Sequence, residues 1–254
     1  MKNYPSDLTD SQWQVIENLV DNERKRKYSM RSVVNALLYI TKSGCQWRML
    51  PDNYPPWESV YYYFRKWKLY GVIEEIHDFL VAKVRKKSNK KEVPSVGIID
   101  SQSAKAINVC QGGIGYDGGK KIKGRKRHIV VDTLGLILAI VVQPANIHDS
   151  KAAIEVLRAL KDKYINGIIK IFADGGYQGD TLFEWAKMSM GWIIEVVKRN
   201  ETGKFKVLPK RWIVERTFAW ISFQRRMSKD YERLPETSQA FVRLSMVRVM
   251  LNRF

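Results

Sequence analysis

The spacing of apolar residues changes character along this chain, from the three-and-four repeat of helices to short β-branched runs. The change falls at 85–92, Arg-Lys-Lys-Ser-Asn-Lys-Lys-Glu, a stretch without an apolar residue. A helical period does not bury one face of a strand, nor an alternating period one face of a helix. An all-helical domain over residues 1–90 is therefore expected ahead of a mixed α/β domain over 91–254, with 85–92 as the linker. In the first part Trp13, Ile16, Leu19 and Val20 form a stripe after Thr9-Asp10, which can cap it. A second stripe, Val33, Val34, Leu37, Leu38 and Ile40, follows Ser29 and stops at Gly44. Val60, Phe64 and Trp67 share the inner face of a segment over 57–70, and Ile73, Ile76, Leu80 and Val84 mark a fourth helix.

Beyond the linker, Val96-Gly97-Ile98-Ile99 reads as a buried strand ending at Asp100. His128 to Asp132 and Leu136 to Gln143 read as a hairpin joined by Thr133-Leu134-Gly135. A helix from Ser150 to Lys163, a strand from Ile168 to Phe172 leading to Asp174, a helix from Thr181 to Met190 and a strand from Trp192 to Val197 follow. Helices near Lys210 to Phe223 and Glu236 to Leu251 close the chain. Three strands, helix, strand, helix, strand, helix is the order of a ribonuclease H-like mixed sheet flanked by helices.

Forty-four basic against 26 acidic residues leave a formal charge of +18, which favours a polyanionic partner. Nucleic acid is preferred to an anionic membrane, because the basic residues interleave with aromatics and glycines instead of forming one juxtamembrane block. The longest uninterrupted apolar run, Leu136 to Val142, is far short of the roughly 20 residues a spanning helix needs. No charged, apolar and small-residue succession marks Met1 to Asp7 as an export signal, so a cytoplasmic location is expected. Cys45 and Cys110 lie in no metal-binding or redox spacing and are expected as reduced thiols.

Within the expected sheet, Asp100 ends the first strand, Asp174 follows the fourth, and Glu215 lies on the helix after the fifth. Carboxylates gathered by a fold repel one another unless a cation neutralises them, and an all-oxygen set suits magnesium or manganese. Two such ions roughly 3.5–4 Å apart can activate an attacking hydroxyl and stabilise a leaving oxygen at phosphorus. Taken singly, each residue could instead be a cap, a turn residue or an ion-pair partner. The glycines of Asp174-Gly175-Gly176-Tyr177-Gln178-Gly179 suit either a close approach to a ligand or a plain turn.

Nearly the whole chain resembles the DDE transposases of bacterial insertion sequences, in the superfamily of insertion sequences four and five and closer to its five-like branch. In the N-terminal part the likeness rests on Tyr4 to Asp10, on Gly44-Cys45-Gln46-Trp47-Arg48-Met49-Leu50-Pro51, and on Pro55-Pro56-Trp57 with Val60 to Phe64. Further on it rests on Asp100-Ser101-Gln102-Ser103, Lys121 to His128, Ala173-Asp174-Gly175-Gly176-Tyr177, and Arg211 to Trp220. The resemblance implies that Asp100, Asp174 and Glu215 are catalytic ligands of two Mg2+ (or Mn2+) ions. It implies cleavage and strand transfer on double-stranded DNA, terminal repeats as the binding target, and a homodimer in the synaptic complex of a nucleoid-associated protein. Arg211 corresponds to the arginine of the family's Tyr-x-x-Arg-x-x-x-Glu signature. The tyrosine expected three residues earlier is Leu208, and the basic residue expected seven after the glutamate is Ser222, so Arg225, Arg226 or Lys229 could serve in its place. Only about a dozen residues separate the fifth strand from the Glu215 helix, which leaves no room for an inserted β domain.

For DNA contact near the site the expected residues are Lys120, Lys121, Lys123, Arg125, Lys126 and Arg127, on a glycine-rich loop from Gly112 to Arg127 that could lie along a phosphate backbone. A solvated loop is the alternative. In the helical part, Arg24-Lys25-Arg26-Lys27 and the face carrying Arg65, Lys66 and Lys68 suit recognition of DNA ends, or simply a wet surface. Asp149 is expected to cap the helix that follows it, with support of the site as the alternative. Trp212, Phe218 and Trp220 are expected to pack, more than to stack on bases. A ribonuclease H-like nuclease and a non-catalytic DNA-binding remnant of a mobile element are the competing readings. The N-terminal motifs weigh against the first and the retained triad against the second.

Overall fold

The computed structural model describes residues 4–20, 25–107, 110, 113–197 and 211–254. Arg24, Gly112, Leu208 and Lys210, invoked above, lie outside the described residues. By contacts the chain forms two compact units. One comprises Met1–Val84, Trp220–Ser228 and Ala240–Phe254, the other Arg85–Ala219 and Lys229–Gln239.

The first unit is helical: α1 (Asp10–Val20), α2 (Met30–Ser43), α3 (Trp57–Leu69), most of α4 (Val72–Lys87) and the greater part of α8 (Pro235–Leu251). The Ser29 side chain caps α2 by accepting from Ser32 N, as its position before the apolar stripe requires. Gly44 closes the helix at φ 71°, and its N–H donates to Ile40 O at 2.9 Å. A Cβ there would lie 3.2 Å from the Arg225 and Arg226 backbone, so both conformation and space call for glycine. The anticipated inner faces are buried, including Ile16, Leu37, Ile40, Val60, Phe64 and Trp67.

A single cut near residue 90 does not describe this unit, because most of the last helix belongs to it. Phe241, Val242, Leu244, Met246, Val247, Met250 and Leu251 are all buried. With buried apolar residues on most of its sides, α8 must be largely surrounded. Phe241 stacks on Phe64 with ring centroids 4.9 Å apart.

The second unit is built on a mixed sheet of β1 (Val96–Lys105), β2 (Gly115–Asp117), β3 (Ile122–Val131), β4 (Ile137–Pro144), β5 (Lys170–Ala173) and β6 (Ile193–Val196). The main order is β4-β3-β1-β5-β6, with β2 also pairing β3. β3 is antiparallel to β1 and β4, whereas β5 runs parallel to β1 and to β6. With α5 (Asp149–Tyr164), α6 (Asp180–Met190) and α7 (Arg211–Ser222), this is the ribonuclease H-like arrangement expected from the element order.

Three local expectations change. Arg85, expected at the head of a solvated linker, is 5% exposed. Its guanidinium pairs with buried Asp132 and donates from Nε to Lys91 O and Glu92 O, because α4 continues to Lys87. β1 continues five residues past Asp100, and β3 starts six residues before His128. Pairing of Asp100–Lys105 with Ile129–Gly124 therefore converts most of the described part of the expected glycine-rich loop into a hairpin.

Candidate active site

The parallel ladder of β1 and β5 ends just below two of the proposed carboxylates. Val96 faces Lys170, Gly97 faces Ile171 and Ile98 faces Phe172. The same offset carried two residues further brings Asp100 opposite Asp174. β5 stops at Ala173, and Asp174 opens a short 3-10 turn, Gly175–Tyr177. Its Oδ1 accepts from Gly176 N at 2.9 Å, while Asp100 Oδ1 accepts from Ser101 N at 2.7 Å. Each aspartate thus spends one oxygen on its local backbone and has the other for its neighbours.

The wall opposite is α7. Ile213, Val214, Thr217, Phe218 and Ile221 are buried, and Thr217 Oγ1 donates to Gly135 O at 2.8 Å. Arg216 Nη2 donates to Leu134 O at 3.0 Å, so two bonds to the β3–β4 turn fix the helix. With that face turned inward, Arg211 and Glu215, four residues apart, share another face. Arg211 Nε lies 3.2 Å from Glu215 Oε1, and its Nη2 lies 3.7 Å from Asp174 Oδ2. Asp100, Asp174, Arg211 and Val214 line one small cavity with Ile98, Ile99, Phe172, Ala173 and Val197.

Burial, reinforced by the negative charge of Asp174, pushes the Asp100 carboxyl up to about 6, against the opposing effects of Ser101 N–H, Arg211 and Lys120. The site thus holds two neighbouring carboxyl groups, with Asp100 the more enclosed. Arg211 bridges Asp174 to a Glu215 side chain that is 59% exposed. Among the described residues no three acidic, histidine or cysteine side chains converge closely enough to hold an ion between them. Asp100 and Asp174 are brought together, and Glu215 stands beside them through Arg211.

The expected DNA-contacting residues separate into two groups. Lys120 and Lys121 are exposed at the β2–β3 turn and Lys123 at the start of β3, and Lys120 Nζ donates to Ser101 O at 3.3 Å. Arg125 and Arg127 are not at the surface: they are 0% and 1% exposed. Arg125 is ion-paired to buried Asp230 at 3.3 Å and donates to Glu232 O and Arg233 O. Arg127 donates to Gln102 Oε1 and Lys229 O. As strand residues two apart they point to one side of β3, where the 229–233 segment closes over them, so neither can lie along a phosphate backbone. Lys126, 8% exposed, points the other way, to Asp149 at 3.1 Å.

Asp149 is not the cap of α5. The His148 side chain accepts from Ser150 N, and Asp149, the first helical residue, accepts from Ser101 Oγ at 3.1 Å. Arg65 and Lys66 are exposed on α3, as are Lys25 and Lys27 before α2. Of the residues proposed in place of Ser222, Arg226 is buried over the Phe241 ring and donates to Cys45 O, whereas Arg225 and Lys229 are exposed. Phe218 packs as expected, but Trp212 is 47% exposed beneath the Arg216 guanidinium. Ser101, Asp149 and Tyr177 stand beside the acidic pair, with Lys126 and His128 against Asp149, and of these only Asp149 is expected from the sequence in support of the site. The period of two across Arg125, Lys126, Arg127 and His128 was the available signal.

A family model described as "Transposase DDE domain" matches residues 91–250, and one described as "Putative transposase of IS4/5 family" matches residues 8–77. The "Putative transposase for insertion sequence element IS402" of Burkholderia cepacia is 32% identical over 136 residues, 51% of this chain and 64% of that protein. The match thus spans just under two thirds of that relative. An "Insertion element IS402 uncharacterized 16.2 kDa protein" of the same organism is 27% identical over 114 residues, 41% of this chain and 76% of its own length. Among solved structures, the "Drosophila P element transposase strand transfer complex" is 14% identical with a TM-score of 0.34, over 75% of this chain and 45% of that one. With more than half its length matched by the first model, and an acidic pair just past the parallel ladder of β1 and β5, the chain belongs to the transposase DDE domain family.

Proposed function

We propose that this chain is a DNA transposase that cuts and joins the ends of an insertion sequence, with Asp100, Asp174 and Glu215 as its catalytic carboxylates. The observation that carries the reading is the pairing of Asp100 with Asp174 where β1 and β5 part, with Glu215 and Arg211 on the facing helix. All three side chains offer only oxygen, the donor set of a hard divalent cation. The residues present fit Mg2+ or Mn2+, and two ions are the number we propose. Bound there, divalent ions would activate the attacking hydroxyl and stabilise the leaving oxygen of a phosphodiester.

The chain's own residues do the rest. Ser101 N–H and Gly176 N–H each fix one carboxylate oxygen, which orients Asp100 and Asp174 before any cation arrives. Arg211 can exchange its carboxylate partners for a DNA phosphate, to which a guanidinium is well matched. Lys120 and Lys121 at the exposed turn, Lys123 at the start of β3, and Arg65 and Lys66 on α3, are the proposed contacts to the double-stranded backbone. A homodimer bridging two ends, and a cytoplasmic, nucleoid-associated location, complete the reading. No helix among the described residues is long and apolar enough to cross a membrane.

The test is to incubate the purified chain and Mg2+ with duplexes taken from the DNA flanking its coding sequence and to look for cleaved and joined strands. Asp100→Ala, Asp174→Ala and Glu215→Ala should each abolish the products and still bind DNA. Cleavage by all three variants at the parental rate would refute the assignment.

A further inference from the structure

Behind the acidic pair, β1, β3, α5 and the turn after β5 enclose a second polar cluster with Asp149 at its centre. Its Oδ1 accepts from Ser101 Oγ at 3.1 Å and from Lys126 Nζ at 3.1 Å, and His128 Nδ1 lies 3.9 Å away. The Lys126 ammonium also donates to Ile147 O at 3.2 Å and lies 3.8 Å from Asp117 Oδ2. With its side chain 10% exposed, Lys126 is held almost entirely by protein. The other oxygen of Asp149 faces the 3-10 turn. A Cβ built on Gly176 would stand 3.2 Å from both Asp149 Oδ2 and Asp174 Oδ1, so the two carboxylates approach one backbone position together.

Capping of α5 does not require a charged residue at position 149. The helix is capped by His148, and a largely enclosed ion pair is weak as a stabilising device once desolvation is counted. What the charge does is reach the site from two directions. Through Ser101 it holds the residue whose N–H fixes Asp100, and across Gly176 it bounds the space of Asp174. Tyr177 lies in the same enclosure, 1% exposed, with its hydroxyl near the Ser101 side chain and otherwise without a hydrogen-bond partner among the described residues. Burial, then the charges of Asp100, Asp149 and Asp174, raise its pKa well above the usual phenol value, with Ser101 acting in the opposite sense, so it remains a neutral donor.

We propose that Asp149, balanced by Lys126, is a positioning residue that acts through Ser101 and across Gly176 to hold Asp100 and Asp174 side by side for a divalent cation, with the Tyr177 hydroxyl as a further donor in the enclosure. This rests on the reading of Asp100 and Asp174 as ligands. Hydrogen-bonded partners of ligating carboxylates typically set metal affinity by about 10–100-fold, which gives the size of the expected effect.

The experiment is a calorimetric titration of the full chain with MnCl2 in the absence of DNA, alongside far-UV circular dichroism and duplex binding. Asp149→Asn, close in shape but uncharged, and Ser101→Ala, which removes one hydroxyl, should each weaken Mn2+ binding by about tenfold or more. Ser101→Ala should keep the parental fold and DNA affinity, whereas Asp149→Asn, which leaves Lys126 with only Ile147 O and Asp117, should also lose stability, so its Mn2+ affinity is read on the folded protein. Cleavage should recover in part at high Mn2+. A merely structural role would lower stability and leave the Mn2+ affinity of the folded protein unchanged. Folded Asp149→Asn and Ser101→Ala proteins that bind Mn2+ as tightly as the parent would overturn the proposal, and if Asp149→Asn does not fold, Ser101→Ala alone decides. Asp100→Asn separates the two layers: if it binds Mn2+ like the parent, the ligand reading itself fails and the positioning role with it.

Discussion

Replacing Asp100 by Asn should make the metal-free protein more stable while destroying its activity. The folded carboxyl titrates at about 6, against an ordinary value of 3.8, because it is buried beside Asp174. A group whose folded pKa is raised contributes its stability below the unfolded value and loses it as pH rises through the folded value. At about 1.4 kcal/mol per unit, the ionised Asp100 costs up to about 3 kcal/mol above pH 6, and essentially nothing below pH 3.8. Asn keeps the oxygen that accepts from Ser101 N and removes the charge.

The difference between variant and parent should therefore be small near pH 4, grow through pH 5–6 and level off by about pH 7. The comparison must be of variant with parent, because His128 tilts the parent the other way. Burial lowers that imidazole to about 4, with Asp149 opposing, and Lys126 and Lys120 reinforcing the shift. Its contribution is present above the unfolded value near 6.5 and is lost as pH falls toward 4, which masks the Asp100 slope in the parent alone. Urea unfolding at pH 4.5, 6 and 8 in EDTA, followed by circular dichroism, measures the difference. Adding Mn2+ should restore stability to the parent and not to Asp100→Asn. A variant less stable than the parent at pH 8, or a difference independent of pH, would refute the account of the pair.

Two further perturbations probe the surroundings. Replacing Lys120, Lys121 and Lys123 by Ala should weaken duplex binding and flatten the dependence of log K on log salt by about 0.9 for each lysine that meets a phosphate, whereas Arg125→Met should leave that slope intact. The Arg125 change should instead cost about 3–5 kcal/mol in urea unfolding, because it leaves buried Asp230 without its ion-pair partner. Gly176→Ala should lower Mn2+ affinity more than stability, because its methyl would press on Asp149 Oδ2 and Asp174 Oδ1, each 3.2 Å away; unchanged Mn2+ binding would show that the space between them is not used.

Much of the fold was legible because its signals are local. The stripe of Val33, Leu37 and Ile40 between a capping Ser29 and Gly44 describes α2 without reference to anything else, and Ile98-Ile99 or Ile171-Phe172 can hardly be other than buried strand. Asp100, Asp174 and Glu215 could be proposed from the motifs around them, although Asp100 proved to lie within β1 and Glu215 within α7. What stayed hidden depends on partners remote in sequence. Lys123-Gly124-Arg125-Lys126-Arg127 contains no apolar residue and reads as wet, yet Asp230, 105 residues away, draws Arg125 into the interior, and Asp149 holds Lys126. α8 had no visible address, because apolar residues on most sides of a helix record that it is surrounded and not by what. The sequence by itself determined which segments are helix and strand and which carboxylates to propose for the site. Only the tertiary structure decided which charges face DNA and which are spent inside, because burial of a charge depends on the pairing that chain reversal brings to it.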